Sequence, residues 1–431
     1  MDEFAFAIVI AVVIAYSFAA RRLSTTPLTG PLLLTAAGLA LGPDGLGWVE
    51  LGIGSEASRL LIETTLALVL FTGASRVSLR RLAADFPLPS RLLGIGLPLT
   101  ILAGWLLAAA LLDLPIWEAL LVGVILAPTD AALGEAVITN PSVPVEVRET
   151  LSVESGLNDG IAVPFFFVAA DLALEVENPR LLPGTLLETI GIGLVVGLAV
   201  GFLLGAALDR ADARGRLSAN WRSVAVLLVP ALAFGLADPL GGSGFIATFV
   251  AGMVFGARTE QRPPEMYDTA EDLGELLTLL AFFAFGALAL GPTLDELDWR
   301  IALYVVLSLT AVRMLPVSIS LLRTGLARPP RLLIGWFGPR GLASAMFTLL
   351  LLESAGSLGA FPTVTTVAVW TIAISILAHG LSAFPLSAAY GRWLSTHDDP
   401  RLSRGAGAQA RADALPRPLG PARGRRAPDR H

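Results

Sequence analysis

Long apolar stretches alternate along this chain with short turns in which charge collects. About twenty apolar residues in a helix cross the hydrocarbon of a bilayer. The first stretch, Phe4 to Ala20, follows Asp2 and Glu3 and precedes Arg21 and Arg22. A signal peptide carries its charges the other way round, so a retained first span is predicted, with the N-terminus outside. Further spans are predicted at 30–41, 58–74, 90–112, 116–138, 150–174, 181–208, 220–237, 242–256, 269–290, 298–322, 331–353 and 361–390, thirteen in all.

Loop charge supports that count, because cytoplasmic loops collect arginine. Arg21/Arg22, Arg76/Arg80/Arg81/Arg91, Arg148, Arg210/Arg214/Arg216/Arg222, Arg258/Arg262 and Arg323/Arg328/Arg331 fall in alternate loops. Between them lie Asp44/Glu50/Glu56, Asp113/Glu118, Glu175/Glu177, Asp238, Asp295/Glu296/Asp298 and Glu353. The alternation predicts a multi-pass protein of the cell's inner (plasma) membrane with a cytoplasmic C-terminus. Residues 395–431 turn Arg-, Pro-, Gly- and Ala-rich without an apolar period and are predicted to be a disordered cytoplasmic tail.

Composition narrows the function. The 431 residues are 54% hydrophobic and 15% charged, which fits an all-α polytopic membrane protein. There is no cysteine, so disulfides and thiolate metal sites are excluded, and three histidines far apart argue against a zinc or haem centre. Every basic residue is arginine, which excludes a lysine Schiff base and a Walker lysine. A net charge of -6 argues against a nucleic-acid partner, and no cofactor is expected.

One stretch breaks the apolar rule. Residues 127–160, APTDAALGEAVITNPSVPVEVRETLSVESGLNDG, set Asp130, Glu154 and Asp159 within or beside predicted spans. Ionisable residues at that depth are costly and point to function. Glu154 and Asn158 are four apart, as are Ser155 and Asp159, so a helix there presents a polar stripe. Pro128 interrupts the helical ladder and frees carbonyls beside Thr129 and Asp130. Carbonyls, hydroxyls and carboxylates are hard oxygen ligands for a small cation. The bland alternative is a helix–helix polar contact with a proline kink.

The twelfth span carries a matching interruption, GWFGPRGLAS at 335–344, with Arg340 at the break. Spans five and twelve occupy corresponding places if spans four to six and eleven to thirteen are repeats, and seven spans of separation make those repeats inverted. Paired broken helices in two halves mark the central site of secondary transporters.

These residues resemble the monovalent cation:proton antiporter-1 family, the NhaP-type sodium/proton exchangers. The resemblance rests on PTD at 128–130, ESGLNDG at 154–160, GFIATFVAG at 244–252 and GPRG at 338–341, and covers all the spans but not the tail. It implies that Asp159 carries the ion and the proton, that Thr129 and Ser155 help to ligate the monovalent cation, and that Glu154 pairs with Arg340. It also implies a homodimer, with an interface domain from 1–76 and 220–291, a connecting helix at 181–208, and a moving six-span core from 90–176 and 298–391. Many relatives carry an acid near the end of the third span, where this chain has Thr72 and Gly73. The cation preference is therefore not inherited.

Asp159 is the central candidate, since a carboxylate at that depth persists by taking up a proton or a cation, and the two compete. Asn158 is expected to orient the site. Asp130 is a candidate ligand, or compensates the ends of half-helices at the break. Arg313, in the eleventh span, must snorkel or find a carboxylate. Glu63 and Glu135 are assigned to ordinary polar packing, and His379 to helix packing. The expected activity is exchange of a monovalent cation, sodium first and potassium as alternative, for protons, one for one and without net charge. The rivals are an intramembrane aspartyl hydrolase using Asp130 and Asp159, which has no need of Asn158 or Arg340, and a passive channel, which a midplane binding site disfavours.

Overall fold

The computed structural model describes residues 3–23, 26–49, 56–77, 87–174, 182–260, 262, 264–355 and 361–396, and every regular element among them is a helix. The predicted tail lies outside the described residues from 397 onward, as do Glu50, Arg80, Arg81, Glu175 and Glu177 of the loop pattern. Among the described residues eight helices are long and apolar enough to cross a membrane, and four shorter apolar helices accompany them. This is a multi-pass membrane protein.

The first half runs α1 (Glu3–Leu23), α2 (Gly30–Leu41), α3 (Glu56–Ser75), α4 (Leu88–Leu111), α5 (Ile116–Ile125), α6 (Glu135–Ile138) and α7 (Val145–Ala173). The second runs α8 (Leu182–Ala213), α9 (Ala219–Ala237), α10 (Gly244–Thr259), α11 (Asp268–Glu296), α12 (Trp299–Ser320), α13 (Arg328–Trp336), α14 (Leu342–Ala355) and α15 (Pro362–Thr396). Local chemistry sets several starts. Thr29 caps α2 through the Leu32 amide, Ser243 caps α10 through Ile246, and Asp298 caps α12 through Ile301 at 2.8 Å. Each side-chain oxygen satisfies an amide that the first helical turn leaves without a partner.

Two predicted spans are discontinuous. The fifth is helical only as α5, unwinds through Pro128, and resumes as the four-residue α6. The twelfth divides into α13 and α14 around Phe337–Gly341, where Pro339 supplies no amide. Each pair is flanked by long helices, α4 and α7 in one half, α12 and α15 in the other, so the two halves repeat one order of elements. Helix α12 is itself interrupted at Thr310, whose backbone leaves the helical region with φ -109° and ψ -88°.

Helix α10 packs against α8, α3 and α9, while α5 packs against α4 and α7. Contact between α3 and α7 joins these two groups beside the polar stripe. At that contact a Cβ on Gly73 would lie 3.1 Å from the Gly156 carbonyl, and one on Gly156 would lie 3.2 Å from that of Gly73. Two glycines therefore let the backbones approach where side chains would hold them apart.

Candidate ion-binding site

The two unwound segments meet. The amide of Asp130 donates to the Pro339 carbonyl at 2.8 Å, and the Asp130 carboxylate accepts from the Leu342 amide at 2.7 Å with one oxygen and from Ala132 at 2.7 Å with the other. Asp130 thus caps the start of α14, where helix amides present partial positive charge. Of the two roles expected for it, the structure displays the cap; both oxygens already hold hydrogen bonds. From the opposite side Arg340, fully buried, donates through Nη1 to the carbonyls of Ala127 at 2.7 Å and Pro128 at 3.3 Å, just past the end of α5. An acid therefore sits at the positive end of one half-helix and a base at the negative end of the other.

This geometry corrects the expected Glu154–Arg340 pair. Glu154 on α7 is held by Arg313 of α12, whose Nη1 and Nη2 reach its two oxygens at 2.6 and 2.9 Å, with both side chains buried. The fork of a guanidinium matches a carboxylate in this bidentate way. Arg340 is committed instead to carbonyls that unwinding released. The signal for the true partner was in the sequence, since Arg313 lies in an apolar span and requires a counter-charge, but position along the chain did not decide between two buried arginines.

The glycines of GPRG have separate purposes here. A Cβ on Gly338 would lie 2.2 Å from Arg313 Nε, and one on Gly341 would lie 2.1 Å from Asp130 Oδ2. Each leaves room for a charged group of another element.

On α7, the Ser155 hydroxyl lies 3.1 Å from that of Thr129, and Asn158 Nδ2 donates to Thr129 Oγ1 at 2.7 Å. Thr129, Ser155 and Asn158 are thus brought into direct contact. Asp159 lies one turn beyond Ser155 on the same helix, half-buried, and its Oδ1 is shielded and takes no hydrogen bond among the described residues. Asn158 Oδ1 is in the same condition. Two shielded, unpartnered oxygens on the same helix segment as a Ser–Thr hydroxyl contact supply the hard oxygen donors that suit a cation that has shed water. The donor set has no thiolate and no imidazole. Thr72 spends its hydroxyl on the Leu68 carbonyl of its own helix at 3.0 Å. Glu63 pairs with Arg59 at 2.7 Å along an exposed helix face, and Glu135 is exposed, so neither joins the locus.

A family model described as sodium/hydrogen exchanger, transmembrane, matches residues 8–389, and the chain belongs to that family. Among curated relatives, a K(+)/H(+) antiporter NhaP2 of Shewanella sp. (strain ANA-3) is 27% identical over 361 residues, covering 81% of this chain and 61% of its own length. A Na(+)/H(+) antiporter 2 of Zygosaccharomyces rouxii is 26% identical over 346 residues, covering 71% of this chain and 40% of its own. The chain spans about three fifths of the length of the first of these. The sodium proton antiporter MjNhaP1 of Methanocaldococcus jannaschii has the same fold, with a TM-score of 0.71, 22% identity, and coverage of 93% of this chain and 100% of that one.

Proposed function

We propose that this chain is a secondary antiporter that exchanges a monovalent cation for protons at Asp159, by alternating access of a moving core. Asp159 carries the reading: a carboxylate oxygen shielded from solvent and without a hydrogen-bond partner among the described residues, on the helical turn after Ser155, whose hydroxyl meets that of Thr129. A proton or a cation on that carboxylate each neutralises it, and one displaces the other. Asn158 fixes Thr129 through its amide nitrogen and leaves its own oxygen without a partner among the described residues. Asp130 and Arg340 hold the crossing, and Arg313 grips Glu154 through two nitrogens.

The domain division expected from the resemblance, the homodimer, the thirteen passes and the terminal orientation belong to the same proposal. Sodium is the first expectation for the cation. Potassium is the second, supported by relatives named as K(+)/H(+) antiporters and by Thr72 and Gly73 standing in place of an acid.

Proton flux in proteoliposomes, driven in turn by lithium, sodium, potassium and rubidium, tests the proposal. Flux is expected with at least one cation and lost in a folded Asp159→Asn variant, whose amide neither binds a proton nor neutralises a cation. Retained cation-dependent flux in that variant would remove Asp159 from the site.

A further inference from the structure

His379 lies in α15, outside the locus, and is buried. Its ring reaches the end of α13 directly and the break before α14 by way of Ser375. Nε2 is 2.9 Å from the Trp336 carbonyl, the last residue of α13, and Nδ1 is 3.1 Å from the Ser375 hydroxyl. That hydroxyl oxygen accepts the Arg340 amide at 2.7 Å. A carbonyl accepts only, so Nε2 carries a hydrogen. Nδ1 also lies 2.8 Å from the Ser375 carbonyl. The ring and this serine therefore form a chain from Trp336 through His379 and Ser375 to Arg340. The indole of Trp336 stacks near the ring, with centroids 5.0 Å apart, and donates to Ser382 of the same helix at 2.9 Å.

We propose that His379, acting through Ser375, is a positioning residue of the exchange site, a conclusion that rests on the antiporter reading above. The strap fixes residues 336–340 to α15 at two backbone points. The second of these is Arg340, whose guanidinium holds the Ala127 and Pro128 carbonyls next to Thr129. Position is thus passed from α15 to a cation ligand on the other broken span. His379 binds no ion in this scheme, and its function needs one protonation form only.

The test compares wild type with His379→Leu, His379→Gln and Ser375→Ala, by amide hydrogen exchange over 336–342 and by cation-driven proton flux across a pH series. His379→Leu and Ser375→Ala should exchange faster in that segment and raise the half-saturating cation concentration by about threefold or more, as expected for loss of a buried hydrogen bond. His379→Gln, which donates and accepts without titrating, should restore both and keep the wild-type pH profile. Unchanged protection in His379→Leu and Ser375→Ala overturns the strap. Faster exchange with unchanged half-saturation overturns the link to the site. A shifted pH profile in His379→Gln overturns the fixed-form role, since the ring would then titrate during transport. Absence of flux in wild type removes the antiporter reading and the positioning role with it, while hydrogen exchange still decides the strap.

Discussion

Gly338 and Arg313 approach so closely that a Cβ on the glycine would lie 2.2 Å from Nε and 2.6 Å from Cζ of the arginine. The guanidinium cannot swing clear without leaving Glu154, which it grips with two nitrogens. Gly338→Ala is therefore expected to lower stability by about 1–3 kcal/mol, as overpacking does. Arg313→Ala should cost more, about 3–5 kcal/mol, because it strands a buried carboxylate, and a joint Glu154→Leu/Arg313→Met change should cost less than either change alone. Thermal unfolding in detergent measures these variants against wild type. An Arg313→Ala protein that melts with wild type would mean that the pair does not hold the core together.

The proposed competition between proton and cation for Asp159 fixes a direction of pH dependence. A protonated carboxylate binds no cation, so acidification raises the half-saturating cation concentration, by up to about tenfold per pH unit once the protonated form dominates. At alkaline pH the value levels off. The measurement is cation-driven flux across a pH series with equal pH on both faces of the vesicle. A half-saturation that stays constant across the series places proton and cation on separate groups.

Counting the groups free to change charge gives a third expectation. Asn158 has no titratable proton, Glu154 is held by Arg313, and Asp130 has both oxygens engaged by backbone amides. Asp159 then crosses one way with a cation and returns with a proton, each complex carrying the same charge. A membrane potential is worth about 2.3 kcal/mol per charge per 100 mV, and here it should do nothing. A valinomycin-set diffusion potential imposed on proteoliposomes, with a control for potassium transport by the protein, should leave the flux unchanged. A voltage-dependent rate would show that a second group travels with a proton.

The third span offers a test of cation choice in which two neighbouring positions diverge. Gly73 packs backbone to backbone with Gly156, so the first carbon of Gly73→Glu would lie 3.1 Å from a carbonyl oxygen and press α3 and α7 apart by a few tenths of an ångström. Its expected effect is reduced yield and stability. Thr72 makes its hydroxyl bonds only to carbonyls of its own helix, and Thr72→Glu should fold and shift the ratio of sodium to potassium half-saturation. Unchanged selectivity in a folded Thr72→Glu protein would show that this position does not reach the ion.

Much of the fold was legible because a bilayer imposes one dominant rule. Apolar runs marked the helices, and Pro128 and Pro339 marked the interruptions where backbone groups are released. Spacing on α7 marked a polar stripe, and the family resemblance singled out Thr129 and Ser155, which the structure brings into contact with Asn158. Partner choice was not legible. Glu154 had two buried arginines within its half-to-half reach, and the interruption of α12 at Thr310 with the bare backbone of Gly338, which admit Arg313, has no periodic signature. Asp130 was ambiguous for a related reason, since the sequence located it at a break without the register in which the breaks cross. His379 looked like a packing residue because its partners are a backbone carbonyl and a serine four positions earlier on its own helix.

The crossing has a consequence for how such a chain can vary. Asp130 and Leu342 are separated by 212 positions yet are joined side chain to backbone, beside a direct backbone bond from Asp130 to Pro339. Neither segment can drift in sequence or be transplanted alone without leaving orphaned amides and a misplaced acid in the middle of the protein. Residues 126–134 and 337–342 therefore amount to one structural module written in two distant places, and replacing either segment alone with a relative's is expected to disturb the crossing.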